Sequence, residues 1–127
     1  MAGQVFGTIS AAGLDKAVAI DLDIGVQGLL VELSGNYAGA ALIFERLLLG
    51  GSWRGVAGVT RDNVYTALLP PFAQSPLPLP DSGSRVFRFQ VPGSDGFRVW
   101  ATSLSGGTIN VTFTPGGWPP PLPSYAL

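Results

Sequence analysis

Along most of the chain apolar and polar positions alternate with a period of two, the signature of strands with one face turned to a core. Val5, Gly7 and Ile9 alternate with Phe6 and Thr8, and Val18, Ile20 and Leu22 with Ala19, Asp21 and Asp23. Val31 and Leu33 alternate with Glu32 and Ser34, then Leu42 and Phe44 with Ile43 and Glu45. Three further runs follow the same rule: Phe87, Phe89 and Val91; Phe97, Val99 and Ala101; Ile109, Val111 and Phe113. No window longer than about ten residues keeps a 3.6-residue period, so helices are not expected.

Turn residues punctuate these runs. Gly28 to Trp53 reads as a β-hairpin reversing at Gly35-Asn36-Tyr37-Ala38-Gly39, with Trp53 beyond a Gly50-Gly51 turn covering one end of the core. Less regular strands are expected at Trp53 to Val59 and Val64 to Leu69, around Thr60-Arg61-Asp62-Asn63. Pro70 to Ser84 is proline-rich and fits an extended connector or edge segment, because proline cannot donate to a ladder. Leu104-Ser105-Gly106-Gly107 reads as the turn of a hairpin joining the last two strands. Eight or nine antiparallel strands predict an all-β sandwich of jelly-roll or immunoglobulin-like type over residues 1–115. Residues 116–127 form an arm: Gly116-Gly117 is a joint, and Pro119 to Pro123 favours extended polyproline. Trp118, Leu122, Tyr125 and Leu127 are apolar anchors along that arm, suited to docking on a neighbouring subunit rather than to solubility.

Composition sharpens the picture. At 127 residues the chain is long enough for one self-sufficient core. Charged residues make up only 12%, against about 25% in ordinary globular domains, and mean hydropathy is +0.37. A body this apolar needs its surface covered, by lipid or by other chains. Glu32, Glu45 and Arg46 interrupt the apolar runs well before the roughly 20 residues of a membrane-spanning helix, and the first ten residues carry no positive region of a secretory signal. Burial in an assembly is therefore the expectation. The net charge of −1 offers no basic field to nucleic acid.

Catalytic chemistry finds little support. There is no histidine and no cysteine, which removes the commonest general base, metal ligand and thiol nucleophile together and leaves the redox compartment open. Asp21 and Asp23 share a strand face near Asp15, but hard cations need about six or more oxygen ligands and no loop has that register. Glu32 and Glu45 fall on outward positions of the expected hairpin, where cross-strand charge or solubility suits them better than a paired-carboxylate glycosidase. Lys16, the sole lysine, sits beside Asp15 as an ion pair or solvated group, and no serine or threonine has an activating base. No enzyme, cofactor or metal site is expected.

The segments G-L-L-V-E-L-S-G-N-Y-A-G-A-A-L-I-F-E, G-G-S-W and F-R-V-W-A-T-S-L-S-G-G-T-I-N-V-T-F resemble a recurrent β-sandwich module of tailed-bacteriophage virion proteins. There a V-x-I-S-G strand leads into x-V-x-F-E, a Gly-Gly turn and a tryptophan, and a hairpin ending V-x-F closes the unit. The resemblance spans residues 28–114 and implies a structural virion protein without catalysis. Its most specific form is a capsid decoration (cement) protein on the capsid surface, a homo-oligomer, trimeric by resemblance, that contacts the major capsid protein. A tail or baseplate protein, or a carbohydrate- or receptor-binding module with Tyr37, Trp53, Tyr65 and Trp100 as its aromatic platform, are the alternatives. The chain departs from the module at Leu47, Leu48 and Leu49, where polar residues are usual, and at outward-facing Trp100. Leu47, Leu49 and Trp100 are accordingly expected to anchor an interface, the ordinary alternative being that they pack under a loop.

Overall fold

A computed structural model describes residues 3–23, 25–55, 58–60, 77–79 and 84–116. Among them lie strands β1 (Val5–Ile9), β2 (Val18–Asp21), β3 (Gly28–Ser34), β4 (Tyr37–Ala38), β5 (Ala41–Leu48), β6 (Trp53–Gly55), β7 (Gly58–Thr60), β8 (Leu77–Pro78), β9 (Arg85–Gln90), β10 (Ser94–Ser103), β11 (Gly106–Gly107) and β12 (Ile109–Gly116). The nine strands of three or more residues match the expected number, and Leu14–Lys16 forms a single 3₁₀ turn. All pairings are antiparallel. One sheet runs β1-β12-β3-β9-β7, the other β2-β10-β5-β6 with β8 also on β5, and β4 pairs with β11.

Alternation decides what lies between the two large sheets. Ile9, Leu29, Val31, Leu33, Phe87, Phe89, Ile109, Val111 and Phe113 enter from the first sheet, and Ile20, Leu42, Phe44, Phe97, Val99 and Ala101 from the second. Aromatic rings lock the layers together. Phe44 lies 4.9 Å from Phe87 and 5.1 Å from Phe89, and Phe97 lies 4.8 Å from Phe89 and 5.8 Å edge-on to Phe113. Tilted and edge-on pairs at these spacings suit the ring quadrupoles and add about 0.5–1.5 kcal/mol per pair beyond the area buried.

Two expected hairpins turn out to be passages between sheets. β3 pairs with β12 and β9, whereas β5 pairs with β10, β6 and β8, so Gly28 to Trp53 is an arch across the sandwich. β10 and β12 likewise lie in opposite sheets. Alternation and turn residues are the same for a hairpin and an arch; which one forms depends on how far the strands must separate to enclose side chains. The two passages clasp each other, with Gly106 opposite Ala38 and Gly107 opposite Tyr37. Thr108 N–H donates to Asn36 O at 2.8 Å and Ser105 N–H to Ala38 O at 2.9 Å. Gly107 has a φ of +85°, and a Cβ there would collide with the backbone carbonyl of Asn36. Gly35, at φ +118°, is also tight, with Thr108 O 2.6 Å from where its Cβ would be.

At the opposite end of the sandwich Arg46 Nη1 donates to Pro92 O at 3.0 Å and to Ser94 Oγ at 3.3 Å, tying β5 to the β9–β10 turn. The expected strand at Val64 to Leu69 and the arm anchors Trp118, Leu122, Tyr125 and Leu127 lie outside the described residues, as does most of Pro70 to Ser84. Of its described residues, Leu77–Pro78 pairs with β5 and Leu79 N–H donates to Ala40 O at 2.9 Å, and β12 ends at Gly116.

Candidate functional site

The outward face of the β2-β10-β5-β6 sheet carries the most organised group of polar and aromatic side chains outside the core. Residues that alternate away from the core on β10 are Arg98 and Trp100, and on β5 Ile43, Glu45 and Leu47. Register brings them together: Arg98 faces Glu45, Trp100 faces Ile43, and Leu47 stands between Gly96 and Trp53. A Cβ at Gly96 would meet Trp53 Cη2 only in ordinary contact at 3.7 Å but would stand 3.2 Å from the backbone oxygen of Ile20 on β2.

Arg98 Nε donates to Glu45 Oε1 at 2.7 Å, and Trp100 Nε1 donates to the same oxygen at 3.0 Å. The Arg98 guanidinium carbon sits 4.0 Å above the centre of the Trp53 ring. Glu45 is only 4% exposed, so the expectation of a solvated glutamate is corrected, while that of a cross-strand charge holds, with Arg98 directly opposite on β10 as its partner. Glu32 lies exposed on the other sheet, and Glu45 is an acceptor enclosed by donors. A buried carboxylate is tolerated where charge and hydrogen bonds are both supplied, and here they are. Trp53, expected at the end of the core, instead lies on the outer face beneath Arg98. The buried Ile43 and Glu45 give β5 two covered faces where alternation suggested one.

The arrangement makes a rigid, charge-neutral surface with aromatic bulk. As a sugar platform it is poor: Arg98 occupies one face of Trp53, and the Trp100 N–H is committed to Glu45. Tyr37 does not take part, being 3% exposed within the core, and Tyr65 lies outside the described residues. Among the described residues no group of three or more His, Cys, Asp or Glu side chains could hold a metal ion, and no helix is long and apolar enough to cross a membrane.

The expected interface leucines part company. Leu47 is half-buried beside Trp53, whereas Leu49 is 66% exposed at the tip of the β5–β6 turn. That turn is closed by Leu48 N–H donating to Ser52 O at 2.8 Å and Gly51 N–H to Leu48 O at 2.9 Å. Trp100 is half-buried on the outer face, as alternation predicted. Sequence reasoning missed the Glu45–Arg98–Trp53 contacts, because residues 53 positions apart are brought together only by strand register. It also gave no weight to Phe6, which projects from edge strand β1 at 70% exposure. The only available signal was its outward phase in the alternation.

Comparisons with known proteins bear on the fold. No protein-family model and no curated protein matches the sequence. Two solved structures share the architecture. The SPBc2 prophage-derived protein YomS superposes with a TM-score of 0.58 at 10% identity, the match covering 91% of this chain and 97% of that one. The PBSX exported protein XepA superposes with a TM-score of 0.61 at 20% identity, over 91% of this chain and 39% of that one. At these identities the likeness is one of fold.

Proposed function

We propose that this chain is a structural virion protein of a tailed bacteriophage. Within that class we propose a capsid decoration protein that self-associates on the head surface and braces neighbouring major capsid subunits. The observation that carries the reading is the two-sheet body, shared over nine-tenths of the chain with two phage-derived proteins. The low charge, the positive mean hydropathy and exposed Leu49 support a surface covered by protein in the working assembly. A non-enzymatic role accords with a chain that has neither histidine nor cysteine.

The test is the copy number of this polypeptide in purified particles, by quantitative mass spectrometry against the major capsid protein. A ratio near that of the shell subunit is expected. A ratio near that of tail components would overturn the head assignment and install the second reading, a tail or baseplate protein. That reading has one observation in its favour: in XepA the matched fold occupies 39% of a longer chain. The carbohydrate-binding reading is weakened by Arg98 covering one face of Trp53 and by the burial of Tyr37. Reproducible glycan binding lost on Trp100→Ala would restore it.

A further inference from the structure

Strand β1 is the least defended edge of the sandwich. It closes one side of the first sheet and pairs, among the described strands, with β12 alone, from Val5 opposite Phe113 to Ile9 opposite Ile109. The rim of β1 turned away from β12 offers a row of N–H and C=O groups, which natural edge strands blunt with charge, proline, a bulge or shortness. β1 has none of these. Asp15 is the first charged side chain in the sequence, β1 contains no proline, and its five-residue register with β12 has no shift. Asn110 and Thr112, which stand beside Thr8 and Phe6 on β12, are uncharged as well. In place of a charge β1 carries Phe6, 70% exposed, the most exposed large apolar side chain among the described residues.

From this geometry we infer that β1 pairs antiparallel with β1 of a second copy, extending the first sheet across a two-fold axis. The inference rests on the self-association in the proposed function, not on the head location. Length and charge select the occupant. A full ladder on β1 needs a partner of five residues, and the other described edges fall short: β6 and β7 have three residues, β8 has two, and β2 has four and ends in Asp21. A strand that meets its own copy brings a charge near its centre opposite or diagonal to that charge's symmetry mate, where like charges repel. A strand built for a different partner is under no such restriction, and β1 with its flanking Gln4 and Ser10 obeys it in full. The register that pairs all five residues centres on Gly7, so that Val5 meets Ile9 and Phe6 meets Thr8 of the other copy. Each pair joins residues of the same phase, which keeps the core face and the outer face continuous across the axis. It also sets the two Phe6 side chains diagonal to each other, within reach for aromatic rings. The contact is isologous and closes as a dimer, in place of the trimer implied by the resemblance. Five residues a side cover less than the about 800 Å² per partner of a standard stable interface, so the pair forms at high local concentration. Exposed Leu49 is left for a further contact.

The test is backbone amide exchange of the full chain, followed by nuclear magnetic resonance in a concentrated sample and in one about a hundredfold more dilute. The N–H groups of Val5–Ile9 that point away from β12 are expected to exchange at least about tenfold more slowly in the concentrated sample. Phe6 and Thr8 are both exposed in the single chain, so an F6K/T8K variant keeps the fold but sets lysines opposite each other in the pair. In that variant the dependence on concentration should vanish, and an equal mixture with F6E/T8E should restore it. Association with these amides unprotected, or protection that F6K/T8K retains, would overturn the edge pairing and leave self-association through another surface standing. Protection equal at both concentrations would overturn it in favour of an edge covered by the chain itself. No association at any concentration would overturn the pairing and the proposed self-association together. A low copy number in particles, by contrast, would defeat the head assignment while leaving the pairing intact.

Discussion

At the scale of single residues, two features of this protein depend on what the backbone allows and what a carboxylate requires. Gly107 holds a φ of +85° against the Asn36 carbonyl, whereas a Cβ on neighbouring Gly106 would meet nothing within 4 Å. Gly107→Ala is expected to lower unfolding stability by about 1–3 kcal/mol or more, from the backbone conformation alone. Gly106→Ala should stay within about 0.5 kcal/mol of the parent. Urea denaturation of the two variants side by side checks the clasp, and equal losses would mean the passages do not pack as described. The second feature is Glu45. Arg98→Met keeps much of the apolar stem over Trp53 but removes the charged donor from a carboxylate that is 4% exposed. The expected loss is about 1–3 kcal/mol, the cost of an under-satisfied buried group, discounted because the Arg98 side chain is itself 18% exposed. Trp100→Phe, which removes one neutral donor, should cost about 1 kcal/mol. A larger loss for Trp100→Phe than for Arg98→Met would show that the indole, not the ion pair, holds Glu45.

At the scale of elements, β5 is where the two layers and the outer cluster meet. Its inward residues Leu42 and Phe44 fill the core, and its outward residues Ile43 and Glu45 are buried too. Phe44 touches rings from both sheets, so Phe44→Ala should cost about 3–5 kcal/mol in urea denaturation. Leu49→Ala, one residue beyond the same strand, should change stability by less than about 0.5 kcal/mol, because that side chain is 66% exposed. Conserved stability with weakened self-association in the second variant is the pattern of an interface residue. The strand faces were legible from alternation: Phe87, Phe89, Phe97, Val99, Val111 and Phe113 all lie where the pattern put them. Strand partners were not. Gly-rich reversals at Gly35–Gly39 and Leu104–Gly107 look the same whether the next strand returns beside the last or crosses to the other sheet.

At the scale of the whole molecule, the described sandwich ends at one pole in a clasp and at the other in an exposed hairpin tip and the last residue of β12. A chain truncated after Gly116 keeps every described strand, so its far-UV circular dichroism and thermal midpoint should match the parent closely. Its self-association, read by light scattering, should weaken at least tenfold. Unfolding of the truncated chain would show instead that the segment completes its own domain. Low charge and high hydropathy pointed to an assembled state, and the likeness to two solved structures at 10% and 20% identity is one of fold.

By itself the sequence determined the fold class, the inward face of nearly every long strand and the absence of histidine and cysteine, since these depend on side-chain period and residue type. Only the tertiary structure decided that Gly28 to Trp53 bridges two sheets, that Glu45 is enclosed by Arg98 and Trp100, and that Leu49 shares a pole with the end of β12. Those outcomes depend on pairing between strands tens of residues apart. Pairing is settled by how side chains close-pack across the sandwich, a property no local pattern carries.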